Sequence, residues 1–313
     1  MHADLMDKNP RNPATPLSVW TLALLLAVVL GFGGFECLFR WGPPGLTAFE
    51  QYNLGRIREF SKRAANADLR IVMLGNSRLK YSTPPDVDFS KLLSDASGRH
   101  VEVLRLVNNW AVFHDFAELL DPIAALKPDI IVLQLQLLGQ ERALAARSLI
   151  LQDYVDWLIS GNHQPWNPGD IDQAALQTAV PCVHDFSDAA LRDRLARTRQ
   201  WLSFDPDSPS GRKARDWARA EAAGDTKVLI LSIPRTPTIK QATGIDFDEK
   251  SSDVIDRLLD TQGITFARFD EPLPQDAFCD VVHMDEQGRE RLTAWLVERL
   301  TALGGERPPY MPM

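Results

Sequence analysis

A serine, an aspartate and a histidine stand at two places in this chain where a nucleophile and its base would be useful. Ser77 follows Arg70-Ile-Val-Met-Leu-Gly-Asn76, an aliphatic run that stops at small, turn-prone residues. Such a run reads as a buried parallel strand, and ligands of open α/β sheets sit at the carboxyl ends of their strands. Near the other end, Asp280-Val-Val-His283 sets a carboxylate and an imidazole three residues apart. A short turn can bring the two together. Acyl transfer through serine needs these three groups: a nucleophile, an imidazole to take its proton and a carboxylate to orient the imidazole. Singly the motifs are weak, because Gly-Asn-Ser is most often a tight turn and a lone Asp-x-x-His is usually solvated. Their joint placement is the specific signal.

The elements that must position these residues follow from the pattern. Strands are predicted over 70–75, 101–107, 130–136, 226–233 and 264–269, with helices over 112–127, 249–262 and about 286–303. Strands alternating with helices predict an α/β fold with a parallel sheet covered on both faces. Asp285 is a natural N-cap for the last helix, which holds His283 just ahead of its first turn. Residues 140–225 are mostly helical by pattern and read as an insertion into a domain spanning 67–303. Residues 46–66, within a segment 40–66, read as a charged helical stalk.

Residues 1–16 are polar and broken by proline and are expected to be disordered, and 304–313 read as a loose, flexible tail. Between Leu17 and Phe35 no residue is charged. As a helix this stretch is about 28 Å long, close to the hydrocarbon core of a bilayer. Trp20 and Trp41 flank it as interfacial anchors do. A cleaved signal peptide is the rival reading, but Gly31-Phe-Gly33 is a poor cleavage site and Glu36 before Cys37 does not suit a lipoprotein. Residues 17–39 are therefore expected to be a transmembrane anchor. Basic residues flank it on both sides, so the positive-inside rule gives no orientation.

Lys and Arg number 34 against 42 Asp and Glu, a net charge of −8. That balance excludes a nucleic-acid partner that needs a basic face. The three cysteines, Cys37, Cys182 and Cys279, form no CxxC pair, which argues against a zinc site; neither metal nor cofactor is expected. In an oxidising compartment a Cys182–Cys279 disulfide is open, with two buried free thiols as the alternative.

Gly75-Asn-Ser77 after the first strand and Asp280-Val-Val-His283 before the last helix resemble the first and last blocks of the SGNH (GDSL-type) hydrolase superfamily. The resemblance implies a flavodoxin-like parallel five-stranded sheet flanked by helices, with Ser77, Asp280 and His283 catalytic. Together with the anchor, the chain also resembles membrane-anchored members that move acyl groups onto cell-envelope polymers. That implies an O-acyltransferase with an acyl-serine intermediate and a carbohydrate acceptor. It also implies a multispanning membrane acyltransferase as partner, and a place in the bacterial inner (cytoplasmic) membrane with the domain outside. A carbohydrate esterase and a catalytically degenerate assembly subunit are the alternatives.

The middle blocks depart from the family pattern. Asn108-Asn109-Trp110 stands where the family has an oxyanion glycine, and Gln134-Leu-Gln136-Leu-Leu-Gly139 where it has Gly-x-Asn-Asp. Asn109 and Gln136 are the candidate oxyanion donors, beside the Ser77 backbone N–H. Arg78 and Arg235 are candidates for an anionic substrate, with a rim salt bridge as the plainer reading of each. Trp157 and Trp166 are candidates for stacking on sugar rings, against ordinary packing.

Overall fold

The computed structural model describes residues 17–41, 48–142, 184–239 and 247–305, with backbone alone at 17–18, 32, 34–41, 48, 197–202 and 247–250. The chain divides into two units, Met1–Gly45 and Leu46–Met313. In the first, helix α1 (Leu17–Trp41) is continuous over 25 residues, and Leu22, Leu24, Val29 and Leu30 lie exposed on it. Among the described residues no helix is long and apolar enough to cross a membrane.

The second unit begins with α2 (Ala48–Arg63), β1 (Leu69–Asn76), α3 (Ser77–Ser82), α4 (Asp86–Ser97) and β2 (Val101–Asn108). After α5 (Leu120–Ala125) come β3 (Ile130–Gln134) and a short strand β4 (Gln140–Arg142). Next are α6 (Asp188–Trp201), β5 (Leu202–Phe204), α7 (Pro209–Ala222) and β6 (Lys227–Ser232). The last elements are α8 (Phe247–Leu259), β7 (Ile264–Arg268) and α9 (Glu286–Gly304). Five strands form one sheet in the order β2-β1-β3-β6-β7, and every pairing in it is parallel. That is the flavodoxin-like order, whose switch point lies between β1 and β3.

Alternation along the strands separates two cores. Val72, Leu74, Leu104, Leu106, Ile131 and Leu133 face one way and pack with α2, α5, α7 and α8. Ile71, Met73, Val103, Ile130 and Val132 face the other, under α4 and α9. A strand covered on both faces has little room for a polar residue, and the nearly continuous aliphatic runs follow from that.

Three expectations are corrected. The segment read as a stalk is a covering helix: Phe49, Asn53, Ile57, Phe60 and Ala64, spaced by three or four, are all buried, and the apolar four join the core of one face. The helix expected over 112–127 is a 3-10 turn, Phe113–Leu119, followed by α5. Pro122 explains the break, since proline has no N–H to donate and fits only the first turn of an α-helix. The insertion is also smaller than 140–225. Its ends are pinned where β4 pairs antiparallel with β5, and α7 beyond it is a covering helix of the sheet, through Ala214, Ala218 and Ala222. The middle of that insertion, residues 143–183, lies outside the described residues.

Candidate active site

Ser77 is the first residue of α3, directly at the exit of β1. Asn76 caps that helix by accepting the Arg78 N–H at 3.0 Å. Gln134, at the end of neighbouring β3, holds Asn76 twice. Its Oε1 accepts the Asn76 N–H at 2.8 Å and its Nε2 donates to Asn76 Oδ1 at 3.0 Å. The strand exit allows nothing larger than glycine at position 75, where a Cβ would lie 2.5 Å from Gln134 Oε1. The nucleophile position is thus built by sheet ends and buried amides.

His283 and Asp280 come from a loop that shapes itself. Phe278 and Met284 form an antiparallel bridge, and Cys279 N–H donates to His283 O at 2.8 Å. Asp285 caps α9 by accepting the Gly288 N–H at 2.8 Å, as expected from sequence. Thr236 Oγ1, fully buried after β6, donates to Val281 O at 2.7 Å and ties the loop to the sheet. Within the loop, Asp280 Oδ1 accepts the N–H groups of Val282 and His283, each at 2.8 Å.

The two ends meet. Asp280 Oδ2 lies 2.8 Å from His283 Nδ1, and His283 Nε2 lies 3.0 Å from Ser77 Oγ. Burial tends to raise the Asp280 carboxyl, but the hydrogen bond and charge of His283, with the two backbone N–H groups, outweigh it and bring its pKa down to about 2. Burial pulls the His283 pKa below that of an ordinary histidine; Asp280 opposes the shift, while Arg194 and Arg78 add to it. Near neutrality the pair is therefore a carboxylate and a neutral imidazole. Nδ1–H then faces Asp280, and the Nε2 lone pair faces the Ser77 hydroxyl.

Two neighbours were not found from sequence. Tyr81 stacks on His283, with ring centroids 4.3 Å apart and planes at 29°. It stands four residues after Ser77 in α3, hence on the same helix face, which is the signal that could have found it. Its hydroxyl pKa is raised, first by burial and then by the charge of Asp280. Arg194, from α6, places its guanidinium 4.6 Å over the ring of Trp110, with Nη2 3.4 Å from His283 Nε2. Nothing local in the sequence distinguishes it from the other arginines of that helix.

The remaining expected residues divide. Asn109 is half-buried just beyond β2, whose last residue Asn108 is in register with Asn76, and it precedes Trp110, which takes a left-handed backbone (φ 56). Gln136 is only 2% exposed, and its Oε1 accepts from Gln134 Nε2 at 2.8 Å. It braces the β3 end through that bond. Arg78 is buried too, donating to the carbonyls of Ile233 and Pro234. It stitches the end of β6 to the start of α3, a role that its position beside the nucleophile did not reveal. Arg235 is half-buried after Pro234. Cys279 is disulfide-bonded; its expected partner Cys182, like Trp157 and Trp166, lies outside the described residues.

These elements define a Ser–His–Asp site at the switch point of a flavodoxin-like parallel sheet. No protein-family model matches the chain, and no curated protein matches it in sequence. Among solved structures the chain is similar to a protein from Desulfitobacterium hafniense DCB-2 assigned to the G-D-S-L lipolytic family. That match has 10% identity over 73% of this chain and 98% of that one, with a TM-score of 0.37. The lipase Lip_vut3 from a goat rumen metagenome matches at 13% identity over 76% and 99%, with a TM-score of 0.36. A family two carbohydrate esterase from Clostridium thermocellum, solved with cellohexaose, matches at 7% identity over 75% and 64%, also at 0.36.

Proposed function

We propose that the chain is an SGNH-type serine enzyme that takes an acyl group from an ester onto Ser77 and passes it to a carbohydrate hydroxyl. The observation that carries this is the unbroken path from Ser77 Oγ through the His283 ring to Asp280, at 3.0 and 2.8 Å. A subunit that had lost its chemistry has no need of that path.

His283 Nε2 takes the Ser77 proton as Oγ attacks the ester carbonyl carbon, and Asp280 stabilises the imidazolium that forms. The negative charge passes to the former carbonyl oxygen. The Ser77 N–H is one of the first-turn donors that a helix leaves without an intrahelical acceptor, and with Asn109 it is the candidate pair to receive that charge. Collapse breaks the bond to the alcohol oxygen, which leaves with the proton from Nε2. In the second half an acceptor hydroxyl gives its proton to Nε2, attacks the acyl carbonyl and releases Ser77.

The choice of a sugar over water rests on the sequence reading of residues 17–39, uncharged from Leu17 to Phe35, as an anchor. An enzyme held at a bilayer is suited to relay acyl groups from a multispanning membrane partner to the cell envelope, with that stretch as a single-pass anchor and the domain outside the bacterial inner membrane. Its exposed leucines and valines suit lipid. The test offers the full-length protein an activated acetyl ester with and without a cell-envelope polysaccharide. Faster turnover with acetyl recovered on the sugar supports transfer; unchanged turnover giving only free acetate makes it a hydrolase.

A further inference from the structure

Three buried amides meet beside the nucleophile, and the main chain decides which way each one points. A backbone N–H can only donate. Arg78 N–H donates to Asn76 Oδ1 at 3.0 Å and Asn76 N–H donates to Gln134 Oε1 at 2.8 Å, so both oxygens are fixed. Gln134 Nε2 is then turned to donate to Asn76 Oδ1 at 3.0 Å and to Gln136 Oε1 at 2.8 Å. Each amide oxygen of the group thus accepts, and Gln134 uses both of its hydrogens. The amino groups of Asn76 and Gln136 are left over. Among the described residues neither Nδ2 of Asn76 nor Nε2 of Gln136 donates a hydrogen bond. Both residues are buried, at 6% and 2% exposure, where a donor without an acceptor is costly.

Their place says which acceptor suits them. Asn76 directly precedes Ser77, Gln134 ends β3, and Gln136 lies in the turn that follows. This is the switch point between β1 and β3, where ligands of such sheets sit. When Ser77 Oγ bonds to the ester carbon, a carbonyl electron pair moves onto the oxygen, which needs donors already in place. Building on the reading of Ser77, His283 and Asp280 given above, we propose that Gln134 is a positioning residue that turns the amino groups of Asn76 and Gln136 toward Ser77, where they receive the charge of that oxygen. Asn76 is then a catalytic residue as well as a helix cap, whereas Gln134 acts without touching substrate. Gln134 is itself held close against the strand exit, where a Cβ at Gly75 would lie 2.5 Å from its Oε1. Donors set in advance in this way need no reorganisation at the moment of reaction.

The test uses 4-nitrophenyl acetate and the full-length protein. Asn76→Asp keeps an oxygen to cap α3 and replaces the amino group with a second oxygen. Gln136→Met removes the other amino group without adding charge. Each should lower kcat by about 10²-fold, the scale of one lost oxyanion donor, with KM changed far less. Trifluoroacetone, which adds to a serine as a hemiketal oxyanion, should lose affinity by the same factor in each variant. Gln134→Glu removes the donor that sets both directions and should reproduce these losses. Adding Gln136→Met to Gln134→Glu should then cost little more, because that donor is already misdirected. Amides that only tie β1 to β3 would lower the thermal midpoint and leave kcat and inhibitor affinity unchanged in the folded variants. Wild-type kcat in Asn76→Asp or in Gln136→Met, or a kcat loss without a matching loss of trifluoroacetone affinity, overturns the proposal. The two donor variants decide this even where Gln134→Glu does not fold. Wild-type turnover that vanishes in Ser77→Ala upholds the parent reading on its own. Absence of any Ser77-dependent turnover overturns both.

Discussion

The serine end and the histidine end of the site are built in different ways. Ser77 is placed by the global sheet: β1 ends there, Gln134 on β3 holds Asn76, and Arg78 reaches the end of β6. His283 is placed by a loop that folds on itself, with Asp280 accepting two of the loop's own N–H groups, a buried threonine bond to the region after β6, and a bridge from Asp185 to Asp280. Damage at the serine end should cost stability and activity together. At the histidine end a change can remove the chemistry and leave the sheet standing.

The sharpest separation should come from Asp280→Asn. The amide keeps an oxygen for the backbone N–H groups but loses the charge that stabilises the imidazolium and fixes its tautomer. Ester turnover should drop on the order of 10³–10⁴-fold, with the thermal midpoint nearly unchanged. A large loss of stability would show that the loop is no more independent than the strand exit. Gly75→Ala tests the other side. Its Cβ meets Gln134 Oε1 at 2.5 Å and Leu79 Cδ2 at 2.6 Å, an overpacking that costs on the order of 1–3 kcal/mol. Denaturant unfolding should show that loss with reduced activity; full activity at reduced stability would break the link claimed for this end.

Smaller effects probe the surroundings of the base. Tyr81→Phe keeps the ring stacked on His283 and should behave like the wild type. Tyr81→Ala should lower kcat/KM by about two- to tenfold, the range of a ring contact. Equal losses in both would assign the role to the hydroxyl. The pH profile is the mildest test. Catalysis needs a neutral His283, and its pKa is held below the ordinary value, first by burial. The base therefore stays neutral to lower pH, and the acid limb of kcat/KM should fall below pH 6.5, the unperturbed histidine value. A limb above that value would mean that Asp280 outweighs burial.

Much of this was legible in the sequence because it is local. The five strands are aliphatic runs, and each lies where it was expected. Ser77, Asp280 and His283 sit beside strand and helix ends that propensity and capping mark. The α2 helix was equally legible and was misread: its charges drew attention from the stripe Phe49, Ile57 and Phe60, which is buried. Asp86 shows what spacing cannot reveal. Its carboxylate joins Arg56 of α2 to Arg105 of β2, the latter 1% exposed, across separations that no local pattern encodes. Arg194 and the carbonyl ligands of Arg78 are hidden for the same reason. They are tertiary meetings of long side chains whose sequence neighbours look ordinary.

The central claim is that Ser77 is a nucleophile activated through His283. The most direct measurement is covalent labelling of the full-length protein with a fluorophosphonate, with the modified residue mapped by mass spectrometry. The adduct should sit on Ser77 in the wild type, be absent from Ser77→Ala, and form far more slowly in His283→Ala, while all three proteins keep the same circular dichroism. Labelling that persists in folded Ser77→Ala, or that proceeds at the wild-type rate without His283, would contradict it.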